Sequence, residues 1–144
     1  MHLFKNCSVF VSQLPSQSYF MPLPTQMTPL HLAAYFNSSA AIVNALIKAG
    51  ADIEAADSDQ DSPLHHASMK NPAVVPVLIG AGCKVNLLDK RQFSPLYWAA
   101  YYSEDRSAVA ALMSAAADPH LGNSPLTSSL VSAEMKDYIR SLSN

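Results

Sequence analysis

Five histidines, two cysteines and a run of carboxylates are the residues of this 144-residue chain best equipped for chemistry. Asp57-Ser58-Asp59-Gln60-Asp61 opens like a calcium loop, with oxygen ligands at alternate places. Such a loop needs glycine at its sixth place and glutamate at its twelfth, and here those are Ser62 and Ser68. Pro63 suits a helix start, which would end the loop half-way. His65 and His66 are adjacent, so on a helix they diverge. No His-Glu-x-x-His run or paired-cysteine spacing supplies the further ligands a zinc site needs. Serine is abundant, but there is no nucleophile elbow, and glycine at only 50, 80, 82 and 122 leaves no phosphate-binding loop. The expectation is no enzyme, no cofactor and no bound metal.

Repetition accounts for most of these residues. Thr28-Pro29-Leu30-His31 recurs as Ser62-Pro63-Leu64-His65, Ser94-Pro95-Leu96-Tyr97 and Ser124-Pro125-Leu126-Thr127, at nearly even intervals. Gly50-Ala51-Asp52 is echoed in step by Gly82-Cys83-Lys84 and Ala116-Ala117-Asp118. A period of this size signals stacked supersecondary units. In each unit a hydroxyl residue can cap a helix and proline can occupy its first position, where a missing N–H costs nothing. An Ala-rich stretch follows, as in Leu30-His31-Leu32-Ala33-Ala34. A second apolar set (Ile42-Val43 with Leu46-Ile47, Val74-Val75 with Leu78-Ile79, Ala108-Val109 with Leu112-Met113) has the i, i+3, i+4 pattern of another helix. Gly50 and Gly82 fall where a helix C-terminus favours the left-handed conformation.

A unit of turn, Thr-Pro-Leu-His helix, second helix and Gly-Ala-Asp resembles an ankyrin repeat. The resemblance implies an all-α solenoid with hairpin or turn connections and about three full repeats, at 24–56, 57–88 and 89–121. A truncated capping unit follows at 122–144. Asp57 and Asp89 match the family's repeat-opening aspartate, Asn86 the Asn that often follows Gly-Ala-Asp, and His31 and His65 its structural histidine. Gln26, Gln60 and Gln92 replace the glycine usual two residues before the hydroxyl, which survives only at Gly122. A left-handed turn retained there costs each Gln about 1–2 kcal/mol, and a locally altered turn is the alternative. Tyr97 and Thr127 replace the motif histidine, putting its hydrogen bond in doubt. Pro76 is expected to kink the second helix of the middle repeat, with Asn71 as its N-cap, at about 3 kcal/mol. Only five residues separate Asp118 from Ser124, too few for a hairpin, and Met135, Tyr138 or Ile139, and Leu142 form the inner face of a closing helix.

Residues 1–23 carry Val9-Phe10-Val11 and Tyr19-Phe20-Met21-Pro22-Leu23 but no repeat phrase. A degenerate N-terminal cap, an unfolded leader and a binding segment at Tyr19 to Leu23 all remain open. With Met1 and a capped C-terminus the chain reads as complete. Lys5 and Asn6 interrupt any signal-like apolar run, and nothing approaches a transmembrane helix. Two distant cysteines suit a reducing, intracellular setting. The net charge of −2 offers no nucleic-acid footprint. Asp52, Glu54, Asp57, Asp59 and Asp61 lie one repeat before Lys84, Lys90 and Arg91. Stacked turns would pair these charges, worth about 0–1 kcal/mol each when exposed, or present a polarised rim to a partner.

In the resembling family, the turn tips and the exposed ends of the first helices form a concave groove. Here those positions hold Tyr35, Phe36, Met69, Lys70, Tyr101 and Tyr102, with Met27 and Phe93 before the hydroxyls, Lys90 and Arg91 on the rim and Trp98 one turn earlier. Aromatic and Met side chains at water-facing places suggest anchors for a protein or peptide. The expected function is a monomeric, non-enzymatic binding module acting as adaptor, inhibitor or effector. The alternative is a targeting or scaffolding fragment of a larger enzyme or complex whose chemistry lies elsewhere.

Overall fold

Each first helix begins where a hydroxyl residue in extended backbone meets a proline. Thr28, Ser62 and Ser94 hold ψ of 164–166° as N-caps, and Pro29, Pro63 and Pro95 take the first helical position. The computed structural model describes residues 26–36, 38–103 and 105–143. They form α1 (Pro29–Tyr35), α2 (Ala40–Lys48), α3 (Pro63–Lys70), α4 (Val75–Gly80), α5 (Pro95–Tyr102), α6 (Ser107–Ser114) and α7 (Ala133–Leu142), with a 3-10 turn at Pro72–Val74. The described residues contain no strand, so the connections are turns and not β-hairpins. The expectation that residues 1–23 form a leader or cap lies outside the described residues.

Helices α1, α3 and α5 pack side by side in one layer, and α2, α4 and α6 in a second. Leu30, Leu64 and Leu96, at one register position, are fully buried between the layers, and the small Ala34, Ala67 and Ala99 allow close approach. Burying each leucine contributes about 1.5–3 kcal/mol.

The motif histidines tie neighbouring units together. The Thr28 backbone N–H donates to Nδ1 of His31 (3.0 Å), which leaves Nε2 to donate to the Asp61 carbonyl 3.0 Å away. His65 repeats this with the Ser62 N–H (3.0 Å) and the Phe93 carbonyl (3.2 Å). Tyr97 reaches the next unit in its own way, its hydroxyl 3.2 Å from Ser128 Oγ.

The turns between units are organised by buried aspartates. Asp57 Oδ1 accepts from the N–H groups of Asp59 and Asp61, and Asp89 Oδ1 from those of Arg91 and Phe93, at 2.8–3.0 Å. The left-handed residue is retained without glycine: Gln26, Gln60 and Gln92 have φ of 67°, 62° and 63°. Gly122 occupies the same place in the closing unit, with φ of 60°. There glycine is required by space as well, since a Cβ would strike the Gln92 carbonyl oxygen and lie 2.7 Å from Leu88 Cδ2.

Two expectations need correction. Pro76 does not kink a continuous helix. The chain breaks into the 3-10 turn and the short α4, so that Pro76 falls in the first turn of α4, where no N–H is needed. Asn71 precedes that turn without a side-chain cap, and its Nδ2 instead donates to the Ser38 carbonyl at 3.1 Å. In α7 the inner face is Met135 and Ile139, with Tyr138 half-buried beneath Arg106 (4.8 Å), whereas Leu142 is exposed.

Replacing Gln60 by glycine exchanges about 1–2 kcal/mol of left-handed strain for about 0.4–1 kcal/mol of extra unfolded-chain freedom, a net gain of about 0.5–1 kcal/mol. Gly122→Ala is expected to cost about 2 kcal/mol or more. Urea denaturation of both variants checks the pair, and equal signs would contradict it. Burial lowers both His31 and His65 from 6.5 to about 4. The unfolded chain then takes up protons between pH 6.5 and 4 that the folded one refuses. Stability is complete above pH 6.5 and falls toward pH 4, with each histidine contributing up to about 1.4 kcal/mol per pH unit. Thermal midpoints across that range measure the slope.

Candidate functional site

The C-terminal ends of α1, α3 and α5 open on one side of the first layer. At the end of α1, Phe36 is 53% exposed and Tyr35 half-buried, their rings edge-to-face at 5.1 Å. At the end of α5, Tyr101 and Tyr102 are 41% and 45% exposed, also edge-to-face, at 4.6 Å. Between them α3 contributes half-buried Met69 and exposed Lys70, whose ammonium lies 5.6 Å from the Tyr102 ring centre.

Beneath this surface is an aromatic stack. Phe93 lies parallel to Tyr97 at 4.1 Å, Trp98 meets Phe93 edge-on at 5.1 Å, and Tyr102 stacks on Trp98 at 5.3 Å. The Arg91 guanidinium covers the Trp98 ring at 4.7 Å while pairing with Asp89 (3.3 Å) and Asp61 (3.6 Å). Lys90 pairs with Asp59. Side-by-side acidic and basic tips therefore do form, with the half-exposed Arg91 lying over the buried carboxylates of Asp61 and Asp89.

Burial removes two sequence-derived candidates. Met27 is 2% exposed and belongs to the core, and Trp98 is 5% exposed with Nε1 donating to Asp89 Oδ2 at 3.1 Å. Neither can meet a partner without rearrangement, and Phe93 offers only part of its ring. The structure brings Arg91, Phe93, Trp98, Tyr101 and Tyr102 into one cluster with Lys70 at its edge. Tyr35 and Phe36 form a separate pair whose link inward runs through His66, 5.7 Å from Tyr35.

Most of the polar groups that could act chemically are engaged in structural hydrogen bonds, while among the described residues His66 Nδ1, Ser68 Oγ and Asp61 Oδ1 are buried without a partner. Ser62 Oγ lies 2.9 Å from His65 Nδ1, but both residues are buried and that nitrogen already accepts the Ser62 N–H. His31, Asp57 and His66 bring ligand-type atoms within 4.8 Å of one another. Both His31 nitrogens are used across the turn, and His66 Nε2 donates to Asp57 Oδ2 at 2.8 Å. Hydrogen-bonded in this way, the trio braces the turn between the first two units.

The model for ankyrin repeats (3 copies) matches residues 5–89 and 30–123. The chain belongs to the ankyrin-repeat family. No curated protein matches it. Ankyrin repeats are generally protein-interaction modules; Phe36, Lys70, Tyr101 and Tyr102 are exposed at the ends of α1, α3 and α5. No helix among the described residues is long and apolar enough to cross a membrane.

One pairing in this ankyrin array went unread in the sequence. His66–Asp57 and Trp98–Asp89 are the same contact one unit apart, a ring N–H to the opening aspartate. The signal was available, because Asp89 and Trp98 repeat the spacing of Asp57 and His66 one period further on.

Asp61 is buried beside this brace, and its carboxyl is pushed well above the usual range by burial and then by the charges of Asp57 and Asp89, which outweigh Arg91. A raised carboxyl costs stability once the unfolded chain ionises, above about pH 4, and the cost grows with pH until the folded group ionises as well. Asp61→Asn should therefore gain thermal stability over wild type progressively from pH 4 to 8. A difference independent of pH would count against this account.

Proposed function

We propose that the chain is a non-enzymatic module that binds a protein or peptide through the concave row at the ends of α1, α3 and α5. The observation that carries this is the exposure of three large rings, Phe36, Tyr101 and Tyr102, at places where a helix end normally meets water with polar side chains. Aromatic anchors supply large apolar area at low entropic cost and recur at interface hot spots. Tyr35 and Met69 back these anchors, and Trp98 holds Tyr102 from below. Lys70, Lys90 and Arg91 edge the row with half- or fully exposed cations and can orient the polar parts of a partner. An adaptor, inhibitor or effector role is consistent with this surface.

The test is affinity capture from the source cells with wild type beside Tyr101→Ala/Tyr102→Ala, the variant first verified as folded by circular dichroism. A retained protein is expected to be lost or weakened at least tenfold by the variant, a hot-spot cost of about 1.4 kcal/mol or more. Equal retention of the same protein by both would move the interface away from this row.

A further inference from the structure

Two junctions between units are built on the same three places, and only one of them offers three ligands. Between the first and second units these places hold His31, Asp57 and His66, and between the second and third they hold His65, Asp89 and Trp98. In each case the motif histidine of one unit reaches the turn of the next, at the Asp61 carbonyl or the Phe93 carbonyl. The indole of Trp98 can only donate, whereas the imidazole of His66 can also bind a cation. One ligand-type atom from each of His31, Asp57 and His66 lies within 4.8 Å of the other two, and all three residues are buried. A zinc ion bonded at about 2.0–2.2 Å spans donors up to about 4 Å apart, so the trio needs only a small closure.

Two further observations point to a cation. Asp57, Asp61 and Asp89 are 4%, 2% and 0% exposed, and among the described residues Arg91 is the one permanent cation paired with any of them. Fully ionised, these carboxylates leave two negative charges unbalanced, which a divalent ion would neutralise. Buried charges are ordinarily paired or metal-bound. The second observation is that His66 Nδ1 and Asp61 Oδ1 are buried without a hydrogen-bond partner among the described residues.

We infer that His31, Asp57 and His66 form a site for a divalent cation of the zinc class, which clips the first unit to the second. His66 coordinates through Nε2, the nitrogen beside Asp57 Oδ2, and its proton passes to the unpartnered Nδ1. His31 coordinates through Nε2, and its proton passes to Nδ1 with Thr28 Oγ1 as acceptor 2.8 Å away. The Thr28 N–H loses that acceptor, which opposes binding. The Asp61 carbonyl, 3.0 Å from His31 Nε2, is a fourth donor within reach. Two imidazoles select zinc-like ions over calcium or magnesium. Four buried protein donors make a closed, structural site and not a catalytic one. The ligands come from two units, so no local sequence motif announces them.

Zinc titrated into the chelator-stripped full-length chain near neutral pH tests this by calorimetry, thermal melting and imidazole ¹⁵N spectra. One saturable equivalent is expected, with a thermal midpoint that climbs as free zinc rises. The ring protons of His31 and His66 are expected to move from Nε2 to Nδ1, while His65 keeps its own. His66→Trp copies the next junction, so it is expected to fold and to lose the equivalent. Three results would overturn the inference: no saturable equivalent in wild type, an equivalent that leaves the His31 and His66 spectra unchanged, or one retained by folded His66→Trp. The last two would assign an adventitious ion only, held by surface groups such as exposed His120. Should His66→Trp fail to fold, the wild-type spectra decide alone.

Discussion

The carboxylate of Asp89 never reaches the surface, yet the candidate groove rests on it. One oxygen takes two backbone N–H groups and so shapes the turn that carries Arg91 and Phe93, and the other takes the Trp98 indole and the Arg91 guanidinium. A single buried charge thereby sets the turn, the ring beneath Tyr102 and the cation over that ring. Leaving such a group without its donors would cost several kcal/mol, so the four partners are held as one unit. Asp57 does the same work one unit earlier, with His66 in place of the indole.

This shared design explains why the row of helix ends changes character along the array. Where the ring under the surface is an indole, its apolar area supports Tyr101 and Tyr102. Where it is His66, the rings of buried His31 and half-buried Tyr35 lean on it, and α3 ends in Met69 and Lys70 without an exposed ring. The scaffold is periodic and the surface is not, as expected where fold and site are separable.

The repeats, the layers and the caps were legible because they depend on local types: hydroxyl, proline and small apolar residues at fixed intervals. Whether the left-handed turn survives at Gln26, Gln60 and Gln92 was open in the sequence, and the backbone there keeps it despite the side chain. What could not be read locally was depth. Trp98 looks like an exposed anchor until Asp89, nine residues earlier, is seen to hold its indole. Met27 looks like a turn-tip residue until it joins the core. Pro76 reads as a kink only if the helix is assumed continuous, and the chain avoided the clash by starting α4 one residue before it.

The stacking of Lys90 and Arg91 over their carboxylates bears on how quickly a partner can find the surface. At direct contact the outermost charges, which are cationic, decide what they meet. At a Debye length of about 8 Å the paired charges cancel and little field remains. A partner of the kind proposed above would then not be drawn in from afar but selected after collision, with association near the unsteered range of about 10⁵–10⁶ M⁻¹s⁻¹. Affinity on such a surface is set by how long the rings are held, and ionic strength acts on the dissociation step more than on the encounter.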